Sequence, residues 1–459
     1  MLSKQDAHIF RPFRNLKPEV SLALSFSLVI LIGAILLTLP ISATNECATF
    51  VDALFTAASA TCVTGLAVVD TGTFWSLFGQ IVILMLIQIG GLGIMTFSTF
   101  FVYLFARRLS FWNREMLESS FAGAAKGHLA HLLLTIILST LTLEAIGACF
   151  LTLRFASILP INKAIYFAVF HSVSAFCNAG FSLFSNNLAD FQGDVVVNLT
   201  IISLIVLGGV GFWVLFDLKN IIRKKRNIHS TSLHTRVVLL MTAFLIITGF
   251  AIILLGEWQY SFKELPLLNK LLAALFQSVT PRTAGFNTID ISALSNSSIF
   301  IIIFLMFIGA SPGSTGGGIK TSTFAIMLAT ISAHLHNQRQ VQIFKRGIPD
   351  LVISKAISIT FFVMVTLIIF CFALLLTEQQ ITAEVHHHTV LIEIIFEAVS
   401  AIGTVGLSLG ITPDLSVAGK VLITLLMFIG RIGATTLMLA IIGSKNTKIR
   451  FAEDNVWVG

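Results

Sequence analysis

Thr61-Cys62-Val63-Thr64-Gly65-Leu66, Phe176-Cys177-Asn178-Ala179-Gly180-Phe181, Pro281-Arg282-Thr283-Ala284-Gly285-Phe286 and Ile402-Gly403-Thr404-Val405-Gly406-Leu407 are four versions of one stretch. Their glycines recur at intervals of 115, 105 and 121 residues. In the first, second and fourth copies a Phe stands ten residues before the glycine (Phe55, Phe170, Phe396) and a Ser six before it (Ser59, Ser174, Ser400). The third copy is one residue shorter, with Phe276 nine before Gly285. Internal repetition on this scale decides architecture ahead of any other signal.

Of 459 residues, 56% are hydrophobic and 11% charged, far from the roughly 25% charge of a soluble domain. The chain therefore reads as an integral membrane protein. Apolar runs cover residues 20–39, 81–105, 132–153, 195–216, 237–255, 299–309 continuing past a break to 331, 357–375 and 421–442. Each offers about the 20 residues a helix needs to cross hydrocarbon, which gives eight spans with both termini on one side. The first run follows a polar, basic stretch without a small-residue cleavage site, so no removable signal is expected.

Basic residues orient the spans. Lys4, Arg11, Arg14 and Lys17 precede span one; Arg107, Arg108, Arg114 and Lys126 follow span two; Lys219, Arg223, Lys224, Lys225, Arg226 and Arg236 follow span four. Arg339, Lys345, Arg346 and Lys355 follow span six, and Lys445, Lys448 and Arg450 follow span eight. All fall on one face, which the positive-inside rule makes cytoplasmic. The net charge of +7 thus reports topology, not nucleic-acid binding. Glu46, Asp52, Asp70, Asp190, Asp194, Glu257, Asp290, Glu384 and Asp414 fall on the opposite side, where they would draw cations.

Between the spans of each pair lies a half-length apolar helix, expected at 50–60, 163–175, 270–279 and 389–401. These are too short to cross, and irregular backbone at membrane depth survives only inside protein or beside water. The expected fold is therefore all-α integral membrane: four pseudo-symmetric helix–pore-loop–helix repeats, with eight spans and four re-entrant hairpins around one central ion pathway. The repeats run 18–105, 130–220, 236–331 and 352–444, followed by a cytoplasmic tail, 445–459.

The second spans repeat a motif of their own, with small residues at Gly90, Gly91 and Gly93, at Gly208, Gly209 and Gly211, at Gly309, Ala310 and Gly313, and at Gly430 and Gly433. In the first two copies close helix packing is the simpler reading. The fourth carries Arg431 where the first two have glycine. The third dissolves into Ser311-Pro312-Gly313-Ser314-Thr315-Gly316-Gly317-Gly318-Ile319-Lys320-Thr321, which cannot continue as helix without large cost.

A dehydrated cation needs oxygen dipoles in place of its water, and carbonyls of tight loops provide them. Four glycine loops about one axis place the ion among Val63, Thr64, Gly65, Asn178, Ala179, Gly180, Thr283, Ala284, Gly285, Thr404, Val405 and Gly406, chiefly by backbone oxygen. Below this filter the loop 309–321, with Gly309, Ser311, Pro312, Gly313, Ser314, Thr315, Gly316, Gly317, Gly318 and Lys320, stands where it can obstruct the path; a plain kink is the alternative. Lys320 and Arg431 are intramembrane charges, which are costly and usually functional. Arg431 reads either as a hydrogen-bonded clamp at a helix end or as an electrostatic barrier.

Other motifs carry less. Gly309-Ala310-Ser311-Pro312-Gly313 fits G-x-S-x-G without the strand-to-helix elbow, and Gly313 to Thr321 misses Walker A by one residue. His386, His387 and His388 lack partners at zinc spacing and read as a solvated loop. Cys149 and Cys371 read as small buried apolar residues, and Cys62 and Cys177 lie just before their glycines without disulfide logic.

The four-copy filter, the Ser-Pro-Gly-Ser-Thr-Gly-Gly-Gly-Ile-Lys-Thr loop and Arg431 together resemble the Trk/Ktr/HKT superfamily of cation transporters, over about residues 18–459. With eight spans the chain is more similar to the Ktr membrane subunit (KtrB type) than to the longer Trk type, and Ser232 to Arg236 and Val341 to Arg346 look Ktr-like. The resemblance implies potassium uptake through a gated, channel-like pathway, with or without sodium, in the cell membrane. It implies no enzymatic activity and no cofactor beyond the transported ion. It further implies a homodimer with one pore per subunit, resting on a cytoplasmic nucleotide-binding regulatory ring (KtrA type). In that family the segment matching Gly309 to Lys320 is the gate, the arginine matching Arg431 contributes to it, and a serine at the first filter glycine favours sodium, so that Gly65 points to potassium. Two alternatives stay open: a Trk-type proton- or sodium-coupled symporter, with Glu144 as a relay candidate, and the potassium-binding subunit of an ATP-driven pump.

Overall fold

The computed structural model describes residues 18–44, 46–93, 129–224, 231–378 and 387–433. The basic segments before residue 18 and at 107–126, the tail 445–459 and the distal parts of the runs 81–105 and 421–442 lie outside the described residues.

The first unit comprises α1 (Pro18–Leu37), the short α2 (Phe50–Cys62) and α3 (Leu77–Leu92). The second comprises α4 (Leu129–Phe155), the short α5 (Ile161–Phe176), α6 (Val195–Gly209) and α7 (Phe212–Lys224). In the third, α8 (Leu233–Glu257) precedes the short α9 (Leu267–Val279), α10 (Asn296–Phe307) and α11 (Thr321–Leu335). After a two-stranded hairpin, β1 (Gln342–Ile343) and β2 (Arg346–Gly347), the fourth comprises α12 (Asp350–Thr377), the short α13 (His387–Gly403) and α14 (Val417–Ile432). Among the described residues α4, α8 and α12 are long and apolar enough to cross a bilayer unbroken, and α6 with α7 passes as a pair bent by 102°.

Local chemistry sets these boundaries. The Thr49 side chain caps α2 by accepting from Asp52 N–H, and Ser76, Ser295 and Ser416 cap α3, α10 and α14 in the same way. Such caps satisfy amide groups that lipid cannot. Beyond the short helices the chain is held back to the first helix of its unit. Glu257 at the end of α8 accepts from both the amide (3.0 Å) and hydroxyl (2.6 Å) of Ser295, and Glu378, just past α12, does the same for Ser416 at 3.1 and 2.6 Å.

Each short helix packs against the first long helix of its own unit, and the second helix of each unit packs against the short helix of the next: α3 on α5, α6 on α9, α10 on α13 and α14 on α2. The chain thereby closes into a cycle. Phe55, Phe170, Phe276 and Phe396 are all buried in the seams so formed. Lipid is as apolar as these side chains, so close packing and hydrogen bonds, not water exclusion, hold the seams. Lys420 on α14 adds an ion pair with Asp52 on α2 at 2.9 Å, across the joint between the last unit and the first.

Three sequence expectations need correction. The second helices do not pass straight through their glycine motifs: α3 and α14 stop at Gly93 (φ 77°) and Gly433 (φ 86°), and the chain turns sharply at Gly211 (φ 93°) between α6 and α7. Packing does explain the earlier glycines. A Cβ on Gly90, Gly208 or Gly430 would lie 2.0, 1.9 or 2.1 Å from the carbonyl oxygen of Thr61, Phe176 or Ile402 at the end of a short helix. Cys149 is exposed on α4, not buried, and Cys371 is only half-buried. His387 and His388 begin α13 instead of lying in a loop.

Candidate ion pathway

The four short helices end at the four glycine loops. In every loop the residue two before the glycine and the glycine itself both have positive φ: Val63 (56°) and Gly65 (97°), Asn178 (61°) and Gly180 (72°), Thr283 (66°) and Gly285 (73°), Thr404 (50°) and Gly406 (91°). The intervening Thr64, Ala179, Ala284 and Val405 do not. Alternation of this kind turns successive carbonyls toward a common side. For the β-branched Val63, Thr283 and Thr404 it is a strained conformation, costing about 1–2 kcal/mol each.

Hydrogen bonds from the short helices hold the strain. The Ser59 carbonyl accepts from Thr64 N (2.8 Å) and its hydroxyl from Gly65 N (3.1 Å); Ser400 does the same for Val405 and Gly406 at 2.8 and 3.0 Å. In the second loop the Ser174 carbonyl accepts from Ala179 N (2.7 Å) while its hydroxyl donates to Phe181 O (2.8 Å). The shorter third copy uses Thr280, whose carbonyl accepts from Ala284 N at 3.0 Å and whose hydroxyl donates to Phe286 O.

The loops meet in cyclic order. A Cβ on Gly65 would lie 2.4 Å from the Ala179 carbonyl oxygen, one on Gly180 2.8 Å from that of Ala284, one on Gly285 2.7 Å from that of Val405, and one on Gly406 2.0 Å from that of Thr64. All twelve residues selected from the sequence thus lie in one ring, and the four carbonyls before the glycines face one another's loops around it. An open vestibule of about 260 Å³ adjoins the ring, lined by Gly65, Gly285 and Gly406 and by the polar Asn187, Asn287, Ser408 and Thr412.

Against the other side of the ring lies the segment between α10 and α11. It is non-helical from Ile308 to Lys320 and is closed at its base by Gly309 N donating to Ile319 O at 2.9 Å. Its amides reach a neighbouring unit: Ser311 N donates to Gly209 O (3.0 Å), Thr315 N to Gly208 O (3.3 Å), and Gly313 O accepts from Phe212 N (3.0 Å). Gly317 N donates to the Thr404 hydroxyl at 3.1 Å. A Cβ on Gly316 would lie 2.0 Å from Thr283 Oγ1, and one on Gly317 2.3 Å from Thr404 Oγ1. The loop therefore presses directly on two of the ring's four quarters. Pro312 stands mid-turn, while Ser311 Oγ and Thr321 Oγ1 pair at 2.9 Å and Ser314 Oγ donates to Ser311 O at 2.6 Å. Lys320 Nζ donates to Gly316 O at 2.7 Å. Arg431 donates to Thr315 O and to Gly90 O, the geometry of a clamp.

Glu144 is buried in α4, where Gln88 Nε2 donates to it at 3.2 Å and the Cys177 thiol lies 3.8 Å away. Sequence reasoning missed two features of the site. One is that Thr280 replaces the serine of the other copies. The other is that the residue after each buried phenylalanine is polar: Thr56, His171, Gln277 and Glu397. Aligning the four copies one position past Phe would have exposed the second.

Comparison with known proteins agrees with this architecture. Residues 4–448 match the family model TrkH, a cation transport protein. The chain is 39% identical to Ktr system potassium uptake protein B of Bacillus subtilis, covering 100% of both chains, and 35% identical to the potassium/sodium uptake protein NtpJ of Enterococcus hirae, covering 97% of this chain and 98% of that one. The crystal structure of the potassium transporter TrkH from Vibrio parahaemolyticus superposes with a TM-score of 0.73 at 18% identity, over 93% of this chain and 85% of the other. The fold is thus an all-α membrane-transporter fold, and the chain belongs to the TrkH family of cation transport proteins.

Proposed function

We propose that this chain is the membrane subunit of a Ktr-type system and takes up potassium through the ring of four glycine loops. The observation that carries the reading is the cyclic meeting of the Thr64, Ala179, Ala284 and Val405 carbonyls at four strained loops. Oxygen dipoles held by short-helix hydrogen bonds can replace a cation's water shell without rearranging. The membrane potential supplies about 2.3 kcal/mol per charge per 100 mV for inward movement. Relatives named as potassium uptake proteins over the full chain length support the choice of ion.

In this reading the loop 309–321 is the gate. It rests on Thr283 and Thr404, and Arg431 and Lys320 hold it there through backbone carbonyls. The protein sits in the cell membrane with both termini cytoplasmic, as a homodimer. A cytoplasmic nucleotide-binding ring acts on the basic inner loops to move the gate. Sodium assistance belongs to the same reading, in keeping with the name of the relative from Enterococcus hirae.

Uptake of potassium, rubidium and sodium into liposomes holding only the purified chain tests this. Potassium and rubidium accumulation driven by an imposed potential, without nucleotide, is expected. Strict dependence on a proton gradient would replace the channel-like reading with a symporter, and flux only in the presence of an ATPase would replace it with a pump subunit. Glu144, with its amide and thiol neighbours, is the residue to substitute if proton dependence emerges.

A further inference from the structure

The polar residue that follows each buried phenylalanine is buried in turn: Thr56, His171, Gln277 and Glu397 are each at most 2% exposed. An unsatisfied polar group in such a place is costly, so partners matter. In the second unit His171 Nδ1 lies 2.7 Å from Phe167 O and must carry the proton, which leaves Nε2 to accept from Ser182 Oγ at 2.9 Å and Leu183 N at 3.4 Å. In the fourth, a Glu397 carboxyl oxygen accepts from the Thr412 hydroxyl, and Ser408 Oγ lies 3.0 Å from that hydroxyl. Ser182 and Ser408 hold the same position, two residues past Gly180 and Gly406. Both bridges therefore join a short helix to the chain as it leaves the ring.

The other two units have no such bridge. Ala67 and Asn287 stand two residues past Gly65 and Gly285, and neither the Thr56 hydroxyl nor either amide atom of Gln277 has a hydrogen-bond partner among the described residues. Because the loops meet in cyclic order, the second and fourth units face each other across the ring.

We propose that His171 and Glu397 are selectivity-determining positioning residues, which fix the vestibule-side mouth of the ring in two opposite quarters through a bridge that the quarters of Thr56 and Gln277 lack. The inference rests on the reading of the ring as a potassium path. Discrimination between potassium and sodium depends on where a few oxygens stand and how far they yield. The two bridges set that distance in the second and fourth quarters; the third is held instead by the Thr280 hydroxyl donating to Phe286 O and by Leu188 N donating to Asn287 O at 3.0 Å.

The test is potassium uptake in competition with sodium, in liposomes holding the full-length protein. H171L and E397L should lower the potassium-over-sodium ratio by about tenfold, the factor that corresponds to about 1.4 kcal/mol, within the range for loss of a buried hydrogen bond. H171Q and E397Q, which keep an acceptor near Ser182 and Thr412, should stay within about twofold of wild type, because the buried hydrogen bond is retained. T56V and Q277L, which remove unpartnered polar groups, should leave the ratio unchanged. Where the leucine variants do not fold, S182A and T412V remove the other half of each bridge with little change in volume and should lower the ratio in the same direction. The proposal is overturned if the serine and threonine variants keep the wild-type ratio, if the glutamine variants fall as far as the leucine ones, or if T56V and Q277L fall as well. A wild-type protein that does not prefer potassium would instead overturn the underlying reading of the ring.

Discussion

Arg431 donates a guanidinium N–H to the carbonyl oxygen of Thr315, so the end of α14 is tied to the loop that lies against the glycine ring. A second N–H goes to Gly90 O on α3, and one side chain thus joins the first, third and fourth units. Guanidinium suits this because its planar fork addresses two acceptors at once, whereas ammonium is a point charge. R431Q should loosen the loop and raise rubidium flux through liposomes severalfold, R431K should do so less, and a flux equal to wild type in both would show that the clamp does not restrain conduction.

Shortening the loop makes a stronger version of the same prediction. Deleting residues 313–318 should raise potassium flux above that of R431Q, because the contacts with Thr283 and Thr404 go with it. Flux measured on protein that elutes as wild type does decides the matter; unchanged or lost flux there counts against a gate.

Gly316 offers a single-atom probe. A methyl group at this position would lie 2.0 Å from Thr283 Oγ1, so G316A must push the loop away from the ring. Raised basal flux is expected, and T283S, which leaves the hydroxyl in place, should not mimic it.

Much of this site could be read from the chain, and the reasons differ by element. The four glycines were legible because at each the φ is positive and a Cβ would strike the carbonyl of the neighbouring loop, and the Pro/Gly segment because no helix survives it. Gly93 and Gly211 were misread because glycine serves close packing and positive φ equally well, and spacing alone does not separate the two uses. The targets of Arg431 were not legible at all. Gly90 and Thr315 lie 341 and 116 residues away, and only the cyclic closure of the units brings them together. The hairpin of β1 and β2 was hidden in a basic stretch whose turn residues, Phe344 and Lys345, adopt positive φ without being glycine.

The two uses of glycine lead to a stability prediction. Among the described residues no atom lies within 4 Å of a Cβ position on Gly433, so against them G433A meets the strain of its φ of 86° and should cost about 1 kcal/mol. G90A would drive a methyl group to 2.0 Å from a backbone oxygen and should lower the thermal midpoint in detergent several times further. Equal midpoints would mean that the seam between α3 and α2 is not tightly packed.

Gly65→Ser tests the ring's contribution to ion choice. The added side chain points toward the Ala179 carbonyl, 2.4 Å from the Cβ position, and must displace an oxygen of the neighbouring loop. The potassium-over-sodium uptake ratio should fall, because the carbonyl oxygens that replace the ion's water shell no longer stand in one ring. An unaltered ratio would mean that the first loop does not set selectivity.

The most direct measurement is anomalous scattering from the purified protein crystallised in rubidium. A peak is predicted on the axis of the ring, between the carbonyl oxygens of Thr64, Ala179, Ala284 and Val405, as expected for a dehydrated ion held by backbone dipoles. Rubidium transport by the same protein with no peak between those four carbonyls would contradict the account.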